Sequence, residues 1–97
     1  MRYAITLSPE AVEDLQALKA NLRPVVRDAI ETHLRHTPTK TSRSRIKRLR
    51  GLSRPQFRLH VGEVRIYYDV TEDTVEILAI VPKSEAAAWL AQVGETE

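Results

Sequence analysis

Residues 57–70 read FRLHVGEVRIYYDV, and the alternation inside this stretch decides the fold. Phe57, Leu59 and Val61 alternate with Arg58 and His60. After Gly62 and Glu63, Val64, Ile66, Tyr68 and Val70 alternate with Arg65, Tyr67 and Asp69. A period of two is that of a strand with one face buried. A two-residue turn with glycine first suits a tight hairpin of the type II′ class. With Gly62 and Glu63 as the turn, Val61 faces Val64, His60 faces Arg65, Leu59 faces Ile66 and Arg58 faces Tyr67. One face is then wholly apolar, and the other gathers Arg58, His60, Arg65 and Tyr67 as cross-strand neighbours. A slip of one residue would spoil both faces, so the register is well determined.

Working outward, a turn over Thr71 to Thr74 leads into Val75–Val81, a nearly continuous apolar run suited to a central strand, which Pro82 ends. Ser84 to Gln92 (SEAAAWLAQ) predicts a short helix, and Gly94 to Glu97 a frayed tail. Upstream, Pro38 to Pro55 is a basic loop in which only Ile46, Leu49 and Leu52 offer anchors, with a short strand or turn near Arg45 to Arg50. Before it, a helix from near Pro24 stops ahead of Pro38 and carries the stripe Val26, Ala29, Ile30 and Leu34. An earlier helix runs from Pro9 to about Leu22 with the stripe Val12, Leu15, Leu18 and Leu22. Ser8, Pro9 and Glu10 start it: a hydroxyl for a free amide, a proline suited to the first turn, and an acid at the positive helix end. Arg2 to Leu7 alternates as a first strand. The expectation is one α+β domain over residues 1–97: an N-terminal strand, a helical hairpin, an antiparallel meander and a short C-terminal helix. The helices cover one side of the sheet, so the basic and aromatic side is expected to stay open.

Charge is distributed unevenly. The net charge is +2, yet ten of the fifteen Lys and Arg residues lie between Arg35 and Arg65, against a single acid, Glu63. Such a block is the electrostatic footprint of a polyanion ligand. Cysteine is absent, which excludes disulfides, thiolate metal sites and a cysteine nucleophile. Gly51, Gly62 and Gly94 are isolated and form no phosphate loop. No clustered His, Asp and Glu spacing suggests a metal, so neither metal nor other cofactor is expected. No apolar run approaches the ~20 residues of a membrane span, and a cytoplasmic location is expected.

The open face has the chemistry to act on a phosphodiester. Arg58 and Arg65 can clamp phosphate oxygens with forked hydrogen bonds and stabilise the added charge of a pentavalent phosphorane. His60 titrates nearest neutrality and can transfer a proton as base or acid; flanking cations favour its neutral form. Tyr67 can donate a hydrogen bond or stack on a base of single-stranded RNA. Lys47, Arg48, Arg50 and Arg54 in the basic segment are candidates for holding the RNA backbone. His33 and His36, at a helix end, suit the negative dipole there rather than catalysis. Trp89 is expected to anchor the last helix in the core.

The order of elements, together with the runs Lys47 to Gly51, Phe57 to Val70 and Val75 to Val81, resembles the RelE/ParE toxin superfamily over essentially the whole chain. That resemblance implies a toxin of a type II toxin–antitoxin system with a cognate antitoxin protein as partner. For RelE-like members it also implies ribosome-dependent, metal-independent cleavage of messenger RNA in the A site, by attack of a ribose 2′-hydroxyl on the adjacent phosphate. Arg58 and His60 fall where RelE-like enzymes place basic residues on one strand, His60 standing where a lysine is usual. Arg65 matches the arginine of the next strand, and Lys83 a basic position after the last strand. The family's following arginine falls at Ser84, and its tyrosine on the last helix near Trp89 or Leu90. These departures leave two alternatives to the endoribonuclease: a ParE-like inhibitor of DNA gyrase, and a catalytically inactive relative that binds antitoxin.

Overall fold

The computed structural model describes residues 1–97. Its elements are β1 (Ala4–Leu7), α1 (Pro9–Ala17), α2 (Leu22–Leu34), β2 (Ile46–Arg48), β3 (Leu52–Arg54), β4 (Phe57–Val61), β5 (Val64–Val70), β6 (Thr74–Pro82), α3 (Lys83–Val93) and β7 (Glu95–Thr96). Five strands form one sheet in the order β1-β6-β5-β4-β2, and β3 pairs with β7 in a second, two-stranded one. The architecture is α+β, with the antiparallel β4-β5-β6 meander expected from the sequence. No helix is long and apolar enough to cross a membrane.

The β4–β5 hairpin has the anticipated register, Val61 opposite Val64, His60 opposite Arg65, Leu59 opposite Ile66 and Arg58 opposite Tyr67. Gly62 takes a φ of 57°, and Glu63 has no positive φ, the pattern of a type II′ turn. Phe57, Leu59, Val64, Ile66 and Tyr68 then enter the main core with Val26, Ile30 and Leu34 of α2 and Leu15 of α1. Tyr68 brings its hydroxyl into this apolar layer because it can donate to the Pro38 carbonyl, 2.6 Å away.

Helix α1 starts as expected. The Ser8 hydroxyl accepts the Ala11 amide at 3.1 Å and donates to the Leu78 carbonyl at 3.0 Å. The helix is shorter than its apolar spacing suggested, ending at Ala17, and α2 begins at Leu22. Its buried stripe is Ala11 and Leu15, while Val12 stands 40% exposed. The small Ala11 lets the first turn approach the sheet closely, and this rotates Val12 outward.

Three features were not anticipated. Strand β1 pairs in parallel with β6, placing the N-terminal strand at the sheet's edge. A bulge at Leu78 changes the parity of β6: Tyr67 faces Ala79 and Tyr68 faces Ile77, leaving Leu78 between them. The polar groups freed there are satisfied, since Ser8 donates to Leu78 and the Ile80 amide donates to the Asp14 carboxylate at 3.0 Å. Finally, the segment after Gly94 is not a frayed tail but the strand β7, antiparallel to β3. Gly94 allows this because a Cβ there would lie 2.7 Å from the Leu90 carbonyl oxygen and 3.3 Å from a Leu52 methyl.

Candidate nucleic-acid interface

The sheet face opposite the main core is built from the polar positions of the same alternation. Lys47 of β2 pairs with Arg58 of β4, which pairs with Tyr67 of β5; one step along, His60 pairs with Arg65. Lys83 joins at the first turn of α3, where its backbone amide donates to the Glu63 carbonyl at 2.7 Å. That bond ties the start of α3 to the β4–β5 turn.

His60 is the centre of this group. Its imidazole pKa is lowered to about 4, first by desolvation and then by the positive charges of Arg58, Arg65, Lys47 and Lys83; no carboxylate acts on it. It is therefore neutral at physiological pH. Two buried side-chain polar atoms of the chain lack a hydrogen-bond partner, and both are here: Arg58 Nε and His60 Nε2. Leaving such atoms unpaired costs about 1–3 kcal/mol each, and a native fold that tolerates this calls for a functional account. An anion with acceptor oxygens would relieve both the orphaned Arg58 donor and the unneutralised positive field.

Arg65 is only 9% exposed. One terminal nitrogen donates to the Gly62 and Val64 carbonyls at 2.8 and 3.2 Å, so the guanidinium is braced against its own turn. This fixes its charge beside His60 and limits its reach toward a ligand.

The face is not as open as the sequence suggested. Helix α3 lies over part of it, and Trp89 stacks on Tyr67 with ring centroids 4.8 Å apart and planes at 18°. Tyr67 is 1% exposed, in a small second core with Ala79, Val81 and Ala86. Its expected role as a platform for an RNA base is thereby closed off, because Trp89 already occupies the ring's free side. Trp89 packs as the anchor of the last helix, stacked on Tyr67.

Arg54 also departs from expectation as an RNA ligand. Its guanidinium sits among Asp69 at 3.4 Å, Glu76 at 3.1 Å and Glu95 at 3.9 Å. Three carboxylates around one cation leave no positive field for a phosphate. The other cations of the basic segment divide. Arg48 donates to the Gln56 carbonyl at 2.8 Å and lies 5.2 Å over the Phe57 ring, on the side away from His60. Lys47 and Arg50 are exposed, and both line a shallow groove along the β2 edge. His33 packs in the last turn of α2 against Arg45, and His36 contacts the Met1 carbonyl at 3.1 Å. No three His, Asp or Glu side chains come together in a way that could hold a metal ion.

The fold is shared with chains in several solved RelB–RelE complexes. A RelB–RelE antitoxin–toxin complex from Methanococcus jannaschii contains a similar chain, at TM-score 0.65 and 19% identity, covering 87% of this chain and 96% of that one. An archaeal RelE–RelB complex from Pyrococcus horikoshii OT3 gives TM-score 0.64 at 22% identity over 86% and 97%. The RelBE2 toxin–antitoxin complex from Mycobacterium tuberculosis gives 0.63 at 23% over 84% and 99%. By sequence, no curated protein matches significantly. The family of ParE toxins of type II toxin–antitoxin systems (parDE) matches residues 5–87. The chain belongs to that family, within the RelE/ParE superfamily, and is a toxin of a type II toxin–antitoxin system.

Proposed function

We propose that this toxin is a metal-independent endoribonuclease that cuts messenger RNA in the ribosomal A site in the cytoplasm, with His60 as its proton acceptor. The observation that carries this reading is the neutral His60, set among four cations with no carboxylate acting on it. A scissile phosphate would sit against Arg58, with Arg65 and Lys83 adding charge stabilisation as the phosphorane forms. The ribose 2′-hydroxyl attacks phosphorus and gives its proton to His60. The bond from phosphorus to the 5′-oxygen breaks, and that oxygen takes a proton from Lys83 or water. The products are a 2′,3′-cyclic phosphate and a 5′-hydroxyl. A base with a pKa of about 4 is weak, but the bound phosphodiester brings negative charge that offsets the surrounding cations and lifts the imidazole toward neutrality, where a general base works best.

A second reading has its own support. The matching family is that of ParE toxins, Ser84 stands where RelE-like enzymes carry an arginine, and Trp89 is held by Tyr67 rather than free at the site. All three favour inhibition of DNA gyrase by binding. In either case an antitoxin is the expected partner, as in the RelB–RelE complexes that share the fold, and an acidic segment laid over the cationic face would neutralise it.

Primer extension on a message translated in a purified system separates the two. The endoribonuclease reading expects discrete, ribosome-dependent cuts within codons, lost in Arg58→Ala/His60→Ala/Arg65→Ala. Intact message together with inhibited supercoiling by purified gyrase would overturn it in favour of the second.

A further inference from the structure

The basic segment between α2 and β2 builds a second cationic hollow, separate from His60. His33 of α2, Thr37, Lys40, Thr41, Ser42, Arg45 and the edge of Ile46 line a depression of about 270 Å³ with no acidic side chain in its wall. The loop forming it is held in shape by its own hydrogen bonds. The Ser42 amide donates to the Ile46 carbonyl at 2.9 Å and the Lys40 amide to the Thr37 carbonyl at 3.2 Å. The Ser42 hydroxyl accepts the amides of Arg45 at 3.1 Å and Ile46 at 3.4 Å, which leaves its own proton to be donated outward. Arg45 contacts His33 Nε2. Because a guanidinium has no acceptor, this nitrogen must be the acceptor, and the imidazole is neutral; burial and then the Arg45 charge push its pKa down. Arg45 is thus positioned by an uncharged partner and keeps its full positive field.

The hollow continues into a wider groove of about 510 Å³, which shares Thr41, Ser42 and Ile46 with it and adds Lys47, Arg48 and Arg50. Lys47 is also one of the cations acting on His60. A continuous positive track therefore runs from His60, around the β2 edge, to Lys40 and Arg45. Hydroxyl donors interspersed with cations and without carboxylates are the chemistry that binds phosphate oxygens. An acidic peptide would be drawn by the same charge, but the hydroxyl donors and the track's link to the phosphodiester site favour nucleic-acid backbone.

We propose that Lys40, Arg45, Ser42 and Thr41 form a second phosphate site, which holds a backbone phosphate of the same RNA strand whose scissile phosphate lies at His60. The inference rests on the RNA-directed reading above for the identity of the strand. Its role is to fix the register of the strand on the toxin, since phosphate contacts position nucleic acid without reading sequence.

The test measures binding of a fluorescent 2′-O-methylated uridine 20-mer, which cannot be cleaved, by anisotropy over a salt series. Wild type, Lys40→Ala/Arg45→Ala, Lys40→Glu and Arg58→Ala are compared, with thermal unfolding confirming each fold. Lys40 and Arg45 are exposed, and Lys40→Glu leaves the Arg45–His33 contact intact. The double variant is expected to bind several-fold more weakly, with a log K against log salt slope shallower by about 0.7 per phosphate released; Lys40→Glu, which reverses the charge, is likewise expected to bind more weakly than wild type. Wild-type affinity and slope in both Lys40 variants, with binding lost only in Arg58→Ala, would overturn the second site and leave the His60 reading standing. Loss in the Lys40 variants but not in Arg58→Ala would keep the second site and remove the His60 reading. Unchanged RNA binding alongside weakened binding of a 20-residue polyglutamate would overturn the proposal in favour of an acidic protein partner.

Discussion

At the scale of the residue, the site is governed by how each charge is compensated. Arg54 and Arg65 are both arginines of the basic stretch, yet three carboxylates surround Arg54 while Arg65 meets only carbonyl oxygens of its own turn. His60 feels the uncompensated remainder. Its folded pKa of about 4 lies below the ordinary 6.5. Between these values the unfolded chain binds a proton that the folded chain does not, so acidification from pH 6.5 toward 4 favours unfolding. His33 is shifted in the same direction. Asp69, whose carboxyl is raised chiefly by burial, acts oppositely, binding a proton more readily when folded. The expected outcome is a urea midpoint that falls from pH 6.5 to 4.5 in the wild type and falls distinctly less in His60→Gln; equal falls would show that His60 is not held neutral by the fold. In NMR titration the His60 resonance should remain that of a neutral ring at pH 5.5, and added oligonucleotide should raise its midpoint. Alternation in residues 57–70 was enough to bring Arg58, His60 and Arg65 to one face. It placed Tyr67 there too but not the Trp89 ring that covers it, and it was silent on Arg54, whose partners Glu76, Asp69 and Glu95 lie on three other strands; no local period encodes either docking.

At the scale of the element, α3 and β7 behave as one cover over the sheet's second face. Helix α3 buries only Ala86 fully, so its attachment depends on Trp89 stacking over Tyr67 and on β7 pairing with β3. Trp89→Ala is expected to lower stability by roughly 2 kcal/mol, less than for a wholly buried tryptophan, through lost area and lost stacking. Trp89→Phe should keep more than half of that. Far-UV circular dichroism in urea measures both, and equal losses in the two would show that the stack contributes nothing. Gly94→Ala tests the other attachment. Its Cβ would press on the Leu90 carbonyl oxygen and on Leu52, so a cost of about 1–2 kcal/mol is expected. Faster hydrogen exchange at Glu97, whose amide donates to the Gly51 carbonyl at 3.3 Å, should accompany it. Exchange unchanged from wild type would mean that β7 moves as a unit with α3 and absorbs the methyl. The sequence predicts a frayed tail here because Gly94-Glu95-Thr96-Glu97 carries no apolar side chain. Its order comes from backbone pairing and from Arg54, neither of which leaves a hydrophobic signature.

At the scale of the whole molecule, the link between the two ends of the chain is the bulge in β6. Residues 75–81 are apolar on nearly every position, so their sequence is compatible with either parity, and the bulge at Leu78 selects one. Before it, Val75 and Ile77 face the main core; after it, Ile80 does, while Ala79 and Val81 turn to the second core under α3. This change of parity gives α3 its bed and brings Lys83 to the His60 side of the sheet. What stabilises it comes from the helical hairpin: Ser8 and Asp14 supply the partners for Leu78 and Ile80, 70 and 66 residues away in sequence. Asp14→Ala should therefore cost about 1–3 kcal/mol, the penalty for leaving a buried backbone amide unpaired, whereas Asp14→Asn retains an acceptor oxygen and should cost less. The distinctive consequence is at a distance. On the endoribonuclease proposal, if the bulge carries Lys83 into place, Asp14→Ala should also reduce RNA cleavage while leaving the β4–β5 pairing protected from hydrogen exchange. Full activity in a destabilised but folded Asp14→Ala would separate the two roles, leaving the bulge as a device for packing α3 alone.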